Sequence, residues 1–320
     1  MQPIRMVVTP RVLTLGPRSA LPIRRTLPER RVAAVGAWCL VEQFGGPTTR
    51  AEALDGTSYP EAGLMTITWP LAGLVRRRDA LGSDSLLRHG RLALATAGRG
   101  VSVSDQGVDD PRGGRHARRF LHGIRLAAAL PADLREDAPT FQEIGDLPTL
   151  RTPAMRATVL LGALAGGHAD LRSPARTASP LLAVEITVTT GTQRLDLEGD
   201  YEHGVLLIDG HVAVNGTPLM PGTLGYLPVG QESVEIATVT GGQLMLLGGT
   251  PWDEEFILFW RLLARSHEEI ETLRQAWVEG ADPFGVIPGV SGREQAPEIP
   301  PVRLRPRRGS VRALARPATA

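Results

Sequence analysis

Residues 205–222, VLLIDGHVAVNGTPLMPG, decide the fold class because they alternate short apolar segments with turn-forming dipeptides. The dipeptides are Asp209-Gly210, Asn215-Gly216 and Pro221-Gly222, and each is typical of a tight turn. The apolar segments between them are too short for helices and are rich in Val, Ile and Leu. We therefore predict short β-strands joined by tight turns in this part of the chain.

Further strand candidates extend the β prediction over most of the chain. In the second half they are Ala183–Thr190, Gln193–Leu197 and Ser233–Val239. In the first half, Ala33–Phe44 leads into Leu64–Trp69, where apolar residues alternate with Thr as in a half-buried strand.

The spacing of glycines in the first half of the chain resembles that in the second half. Gly73, Gly82, Gly90 and Gly98 recur at intervals of eight or nine residues. The segment from Gly73 to Gly98 has a loose counterpart from Gly204 to Gly230. Two such sets of short strands favour an internally duplicated β-barrel, so the predicted fold class is all-β.

Composition and charge exclude several classes of function. The 320 residues suffice for two domains, and a formal net charge of +1 gives no electrostatic reason to bind nucleic acid or an anionic membrane. The sequence contains no Lys, which excludes Schiff-base or nucleophilic lysine chemistry. Cys39 is the single cysteine, so neither an internal disulfide nor a cysteine-rich zinc module can form.

The apolar patterning predicts a cytoplasmic protein with no membrane association. Met1–Pro10 lacks the basic and then apolar pattern of a signal peptide. The longest apolar stretches, such as Val159–Ala165, are far shorter than the ~20 residues of a membrane-spanning helix. We further expect a monomer.

Prolines and acidic residues between Leu130 and Thr152 indicate a connector between two domains. We predict an N-terminal domain over residues 1–130, a connector over 131–152 and a C-terminal domain over 153–290. Within the last of these, Phe256–Ala264 is interpreted as one buried strand, and a helix is predicted over 266–279, where Ser266 and Glu269 form a capping box. Residues 291–320 are rich in Arg and have little to bury, so we predict an extended, disordered tail.

Several stretches resemble, in the same order, the pirin family of the cupin superfamily. The most specific is LLGGTP at residues 246–251, followed by RSHEEI at 265–270 and by Trp277. The others are Arg30-Arg31, Val35–Trp38, Glu42–Pro47, Gly73–Gly82, Thr96–Gly100, Gly123–Leu126 and Pro139–Gln142. The resemblance implies a bicupin, which is a pair of cupin β-barrels (double-stranded β-helices) packed together, with a short C-terminal helix.

The same resemblance implies a choice of functions. Known activities in the family are a metal-dependent quercetin 2,3-dioxygenase and metal-linked regulation through transcription factors or metabolic enzymes. Iron or another divalent metal would be the family norm, held by His and Glu side chains inside the first barrel.

The family's metal ligands correspond here to other residue types. Two His separated by one residue correspond to Tyr59 and Glu61, which would point to the same face of a strand. A later His and Glu correspond to Val103 and Asp105. No residue is therefore assigned a catalytic role.

Three more residues are expected to adjoin this cavity. A carboxylate position common in cupins holds Met65, another His position of the family holds Arg77, and Arg99 lies in the glycine-rich segment. We expect Arg77 or Arg99 to form an ion pair with Glu61 or Asp105, because a buried carboxylate without a metal needs a cation or a proton.

The replacements predict that no metal cofactor binds. Val103 has no ligand atom, and the phenol of Tyr59 ionises only near pH ~10. Iron(II) oxygen chemistry requires neutral imidazoles with a carboxylate. Glu61 and Asp105 remain as weak candidates for a hard cation such as Mg²⁺, Ca²⁺ or Mn²⁺. Alternatively, these side chains line a hydrated or ligand-binding cavity.

The histidines offer no substitute site. None of the seven forms an H-x-H, H-x-x-H or H-x-x-x-H pair. His203 lies where the second barrel could present a ligand, but its neighbour Glu202 would point to the opposite face of a strand.

We therefore expect a pirin-like protein without quercetinase activity. Its first barrel would bind an unknown small molecule, or its surface would bind a protein partner, in a regulatory role. The alternative is a quercetin 2,3-dioxygenase-like oxidoreductase that holds its metal with altered ligands.

Overall fold

A computed structural model describes residues 3–14, 21–109 and 120–309, and most of the described elements are β-strands. The first twelve strands are β1 Met6–Val8, β2 Arg11–Thr14, β3 Pro22–Leu27, β4 Trp38–Arg50, β5 Asp55–Glu61, β6 Leu64–Ala72, β7 Leu74–Asp79, β8 Asp84–Leu87, β9 Leu92–Thr96, β10 Val101–Val108, β11 Phe120–Ala129 and β12 Thr140–Ile144.

The remaining strands begin at Thr149. They are β13 Thr149–Arg151, β14 Met155–Leu161, β15 Leu181–Val188, β16 Gly191–Asp196, β17 Glu202–Gly210, β18 Val212–Val214, β19 Thr217–Leu219, β20 Leu224–Leu227, β21 Ser233–Thr238, β22 Gly242–Gly249, β23 Glu255–Phe259, β24 Leu262–Ala264 and β25 Arg307–Arg308. The predicted connector over 131–152 therefore contains β12, which pairs with β9, and β13, which pairs with β14. Helix α1 spans His267–Glu279, and single 3-10 turns lie at Ala51–Ala53 and Gly166–His168.

The strands form two barrels of the same design. The first combines a seven-stranded sheet, β12-β9-β6-β11-β4-β3-β2, with a four-stranded sheet, β5-β10-β7-β8. The second combines β1-β20-β17-β22-β15-β14-β13 with β16-β21-β18-β19. The predicted all-β bicupin with a short helix is therefore confirmed. Asn215 and Gly216 form the predicted turn between β18 and β19, with φ angles of 47° and 75°.

A hydrophobic core lies between the two barrels. A single strand can contribute both to this shared core and to a barrel interior, because neighbouring residues of a strand face opposite sides. On β17, Val205 and Leu207 fill the second barrel, whereas Leu206 and Ile208 belong to the shared core. Trp38 crosses the interface and donates its indole N–H to the carbonyls of Leu182, at 3.2 Å, and of Gly248, at 3.0 Å. The first barrel is thus held firmly against the second.

Strand β1 and hairpin β23–β24 each pack on the barrel that is more distant in sequence. Strand β1 pairs with β20 in the second barrel. Hairpin β23–β24 lies on the first barrel, where Leu262 forms a parallel bridge with Ala62. Helix α1 buries Ile270 and Trp277 in the same cluster as Ala62. Its position in the chain predicts that this helix belongs to the second domain. In the structure it packs beside the first barrel.

The C-terminal region agrees with some predictions and corrects others. Ser266 caps α1 by accepting a hydrogen bond from the Glu269 N–H at 3.2 Å, as the capping box predicts. The predicted single strand Phe256–Ala264 is instead two strands, because Trp260 adopts a φ of 57° and turns the chain.

The described part of the predicted disordered tail is held in place. Arg303 forms an ion pair with Glu268, the Leu304 N–H donates to His267 Nδ1 at 3.1 Å, and β25 pairs with β23. Residues 310–320 lie outside the described residues. Among the helices that the structure describes, none is long and apolar enough to cross a membrane.

Candidate functional site

The interior of the first barrel brings together the residues predicted from the family's ligand positions. Strand β5 directs Tyr59 and Glu61 inward, because residues two apart share a face, and β10 does the same for Val103 and Asp105. Tyr59 lies opposite Val103 in the β5–β10 ladder. All four side chains are buried.

Asp105 is the centre of a hydrogen-bonded network. The Tyr59 hydroxyl donates to Asp105 Oδ2 at 2.6 Å, and Arg125 Nη2 donates to the same oxygen at 2.7 Å. Arg77 Nη1 donates to Oδ1 at 3.2 Å. The carboxylate is therefore balanced by two guanidinium groups and a phenol.

Glu61 has a separate set of partners. The Thr66 hydroxyl donates to Glu61 Oε2 at 2.9 Å, and Arg77 Nη2 lies 3.5 Å from the same oxygen. Arg77 thus connects Glu61 with Asp105. This confirms the prediction that an Arg lies within salt-bridge reach of Glu61 or Asp105.

Three more charged residues extend the network toward the barrel opening. Glu42 on β4 accepts from Arg25 Nε at 2.6 Å, and its Oε2 lies 3.9 Å from Arg125 Nη1. Arg261, at the tip of hairpin β23–β24, places its guanidinium carbon 4.0 Å from the centre of the Tyr59 ring. This cation–π contact covers the phenol from the side of the C-terminal segment. We call Glu42, Tyr59, Glu61, Arg77, Asp105, Arg125 and Arg261 the barrel network.

Electrostatics keep Asp105 and Glu42 of the barrel network ionised. Burial alone would raise the pKa of Asp105, but Arg77, Arg125 and the Tyr59 hydroxyl outweigh it and hold that pKa at about 2. Burial likewise opposes ionisation of Glu42, yet the guanidinium groups of Arg25, Arg261 and Arg125 lower its pKa. Burial raises the pKa of Tyr59, so the phenol keeps its proton.

Two predicted cavity residues lie elsewhere. Met65 belongs to the core shared by the barrels, together with Ile67, because the face of β6 that points into the barrel carries Thr66 and Thr68 instead. Arg99 is exposed at the barrel rim and has no ion pair to Glu61 or Asp105 in the described structure.

Arg99 lines a cleft of about 450 Å³ between the rim of the first barrel and helix α1. Its walls include Arg135, which forms an ion pair with Glu269 at 3.1 Å, and Glu268. The cleft carries charges of both signs. It lies outside the barrel network.

Sequence reasoning missed Arg125, Glu42 and Arg261 as members of the site. Arg125 interrupts the apolar strand LHGIRLAAAL and Glu42 interrupts WCLVEQF, and a charge within such a run indicates a buried, paired residue. Arg261 carried no such signal, because it reaches the barrel only through the fold of the C-terminal segment.

The residues present do not fit the family's metal. An imidazole-held cation needs several neutral nitrogen donors, whereas Tyr59 donates a proton, Val103 has no ligand atom and Asp105 is saturated by guanidinium groups. No group of three or more His, Cys, Asp or Glu side chains in the described residues is arranged to hold a metal ion.

His203 is an isolated group in the second barrel. Its ring is completely buried, and neither ring nitrogen has a hydrogen-bond partner in the described structure. Burial lowers its pKa to about 4, so the imidazole is neutral at physiological pH. As its strand position predicted, Glu202 points the other way and accepts from the Gly36 N–H at 2.9 Å and the Tyr226 hydroxyl at 2.8 Å.

Comparisons with known proteins agree with this architecture. The sequence profile of the Pirin C-terminal cupin domain matches residues 183–283. A Pseudomonas aeruginosa protein, named provisionally as a quercetin 2,3-dioxygenase, is 33% identical over 92% of this chain and 90% of its own length. A Caulobacter vibrioides pirin-like protein is 26% identical over 81% of this chain and 88% of its own. The crystal structure of an Acinetobacter baumannii quercetin 2,3-dioxygenase superposes with a TM-score of 0.83 at 30% identity, covering 95% of this chain and 98% of that one.

Proposed function

This chain belongs to the pirin family, and from that premise we propose that it works as a metal-free binding or regulatory module and does not oxidise flavonols. The observation that carries the proposal is the pairing of Arg77 and Arg125 with Asp105. Two fixed guanidinium cations lie beside a carboxylate that the resemblance places at a ligand position. A divalent cation would have to displace or repel both of them.

The charge balance of the barrel network supports the same conclusion. Its three guanidinium groups, on Arg77, Arg125 and Arg261, face three carboxylates, on Glu42, Glu61 and Asp105. A divalent metal added to this set would bring two positive charges into a buried region whose carboxylates already face guanidinium groups. Burying uncompensated charge is strongly unfavourable.

Closure of the barrel disfavours a flavonol substrate as well. Tyr59 is 4% exposed, Arg77 is 2% exposed and Arg261 is 4% exposed. A ligand of flavonol size would reach the barrel network only after hairpin β23–β24 had moved away. Binding of a larger partner at the surface, for instance at the cleft beside α1, requires no such rearrangement.

A metal-dependent dioxygenase with altered ligands is the second candidate. It is favoured by the names of the Pseudomonas and Acinetobacter proteins, which are 33% and 30% identical to this chain over most of its length. In that case the oxygens of Tyr59, Glu61 and Asp105 would hold the cation after Arg77 and Arg125 had turned away.

Metal analysis with a matched pair of variants separates the two candidates. The protein should be purified without a His tag, assayed for bound metal, and tested for oxygen uptake with quercetin after addition of iron, copper, nickel or manganese. We expect substoichiometric metal and no oxygen uptake above a denatured control. Near-stoichiometric redox metal with quercetin turnover would establish the dioxygenase instead.

The matched variants are Arg77→Met and Arg76→Met. Arg76 is the neighbour of Arg77 on β7, but it is exposed and paired with Asp84. If the buried guanidinium repels cations, Arg77→Met should bind Mn²⁺ or Mg²⁺ more tightly than the wild type, while Arg76→Met should not. Equal affinities in all three proteins would argue against this role for Arg77.

A further inference from the structure

The tip of hairpin β23–β24 is a tight turn whose first residue has an unfavourable backbone conformation. Phe259 pairs with Leu262, so Trp260 and Arg261 form a two-residue turn between them. Trp260 has a φ of 57°, whereas the φ of Arg261 is not positive. These signs match a type II′ turn, whose first central position favours glycine. A bulky residue at such a position is strained, and strain of this kind is concentrated at functional sites.

The side chains of this turn close the mouth of the first barrel. Trp260 packs against the apolar cluster that contains Tyr59 and Val103. Arg261 is only 4% exposed, and its guanidinium carbon lies 4.0 Å from the centre of the Tyr59 ring. The strained turn thus places a planar cation in an enclosed space on an aromatic face, which is how proteins recognise organic cations.

The guanidinium group of Arg261 lacks the polar contacts that usually accompany a buried arginine. In the described part of the chain no hydrogen bond or ion pair holds this group, and its Nε is buried without a partner. The backbone is fixed separately, because the Ala62 N–H donates to the Arg261 carbonyl at 3.3 Å and Ala62 forms a bridge with Leu262. An incoming cation would therefore compete with the Arg261 side chain and not with the hairpin.

Glu42 offers an acceptor that Arg261 does not use. The charge of Arg261 helps to lower the pKa of Glu42, yet Glu42 Oε2 has no hydrogen-bond partner in the described structure. Arg125 Nη1 lies 3.9 Å from this oxygen, which is beyond hydrogen-bonding distance. A buried carboxylate oxygen without a donor is uncommon in folded proteins. A guanidinium ion that is not tethered to the hairpin is free to shift toward this oxygen while it remains on the Tyr59 ring.

An aromatic face, a carboxylate oxygen without a donor and a strained turn therefore meet at one position. We propose that Arg261 is an internal occupant of a binding site for one small planar organic cation, such as an alkylguanidinium, on the Tyr59 ring beside Glu42. The site opens when the Arg261 side chain is displaced. Exchange of one monovalent cation for another leaves the charge of the barrel network unchanged, whereas a divalent metal would not.

This inference rests on the proposed function as a binding module and names a class of ligand for its first barrel. The test is calorimetric titration of the full chain with N-ethylguanidinium in the presence of EDTA. The proteins compared are the wild type, Arg261→Ala and the control Arg308→Ala. Arg308 belongs to the same C-terminal segment but pairs with Glu255 at the surface.

Arg261→Ala should bind N-ethylguanidinium about tenfold or more tightly than the wild type and Arg308→Ala do, because a tethered side chain competes at a high effective concentration. Equal affinity in all three proteins, or no binding by Arg261→Ala, would overturn the proposal. If Arg261→Ala does not fold, Arg261→Gln replaces it with the same expected and contradicting outcomes.

Two further measurements test the chemistry of the site in Arg261→Ala. N-ethylurea resembles N-ethylguanidinium in shape but is uncharged, so it should not bind measurably; binding with equal affinity would refute a cation site. Crystals grown with N-ethylguanidinium should show the ion on the Tyr59 ring and within hydrogen-bonding distance of Glu42 Oε2. Water alone at that position would also refute the site.

Metal content and oxygen uptake decide the proposed function without this ligand. Stoichiometric redox metal with quercetin turnover would defeat the proposed function. Failure of metal-free Arg261→Ala to bind N-ethylguanidinium would defeat the cation site alone.

Discussion

Arg125 Nη2 lies 2.7 Å from Asp105 Oδ2, and the pair joins strands β11 and β10 across the interior of the first barrel. Each side chain is almost fully buried. Breaking a buried pair by removing one partner leaves an uncompensated charge, whereas replacing both partners with apolar or neutral groups can be nearly harmless. Single and double substitutions of Arg125 and Asp105 should therefore show how strongly the two side chains are coupled.

Arg125→Met should lower the free energy of unfolding by about 3–5 kcal/mol, because Asp105 and Glu42 lose a buried cation. The measurement is urea unfolding at pH 7. The control is Arg76→Met, which breaks an exposed ion pair with Asp84 and should cost no more than about 1 kcal/mol. Arg125→Met combined with Asp105→Asn should recover part of the loss, and strict additivity would contradict direct coupling.

The pKa of Asp105 predicts how stability depends on pH. Its folded-state pKa of about 2 lies below the unfolded value of about 3.9, so its contribution is complete above the unfolded pKa and is lost as the pH falls through the folded one. We expect about 2 kcal/mol to disappear between about pH 4 and pH 2. The lowered pKa of Glu42 acts in the same direction.

Asp105→Asn tests this dependence on pH. Unfolding free energies between pH 5 and the acid limit of the folded state should fall less steeply in the variant than in the wild type. Asp84→Asn, whose carboxylate is exposed, should keep most of the wild-type slope. An unchanged slope in Asp105→Asn would show that other groups govern the acid response.

A polar contact between the barrels provides a further test. His89 Nε2 lies 2.9 Å from Glu185 Oε2, and Gln243 Nε2 donates to the other oxygen of that carboxylate at 2.6 Å. His89→Ala should destabilise the protein by about 1–3 kcal/mol, because a buried carboxylate loses a hydrogen-bond partner. His168→Ala is the control, since His168 is exposed, and it should change stability by less than about 0.5 kcal/mol.

The fold was largely predictable from the sequence because turn chemistry is local. Gly73, Gly82, Gly90 and Gly98 all adopt positive φ angles at the turns where their spacing predicted them. The interior face of β5 was equally predictable, since the period of two places Tyr59 and Glu61 together. The prediction that Met65 adjoins the cavity was wrong. The same period of two explains the error, because Met65 lies one residue away from the inward-facing Thr66 and therefore points to the other side of the strand.

The rest of the site depends on distant parts of the chain. Arg125 on β11 and Glu42 on β4 meet Asp105 only when the barrel closes. Arg261 enters the network through a hairpin about 200 residues from Tyr59 in sequence. No local pattern specifies such contacts, although the charges within apolar strands could have suggested that Arg125 and Glu42 were buried and paired.

Close backbone packing under the hairpin makes Gly63 a sensitive position. A Cβ atom there would lie 2.4 Å from the carbonyl oxygen of Leu263, and Gly63 has a φ of +68°. Gly63→Ala should cost about 3 kcal/mol or more and should raise amide hydrogen exchange in hairpin β23–β24. Gly82 has a similar φ of +89°, but no atom would lie close to an added Cβ there. Gly82→Ala should therefore lower the free energy of unfolding only by the backbone strain, about 1 kcal/mol. Similar effects of the two substitutions would show that the hairpin is not packed as described.

Restoring the family's metal ligands should require removal of the arginines as well. The variant with Tyr59→His, Glu61→His, Val103→His and Asp105→Glu still holds Arg77 and Arg125 beside the new donors. Adding Arg77→His and Arg125→Met should increase Ni²⁺ affinity about tenfold or more, because two repelling cations are gone. Calorimetric titration of both variants provides the measurement, and equal affinity would contradict electrostatic exclusion.

Strand β1 packs on the second barrel and hairpin β23–β24 on the first, and this arrangement has a consequence for protein synthesis. Strand β1 emerges from the ribosome first, so the second barrel can complete its sheet once β22 has been made. The first barrel precedes it in sequence, yet Arg261 and the hairpin that cover Tyr59 are translated later. Domains usually fold in the order of their synthesis. Here we expect the reverse order of completion: chains truncated before Glu255 and released from the ribosome should protect the second barrel from protease while the first remains open.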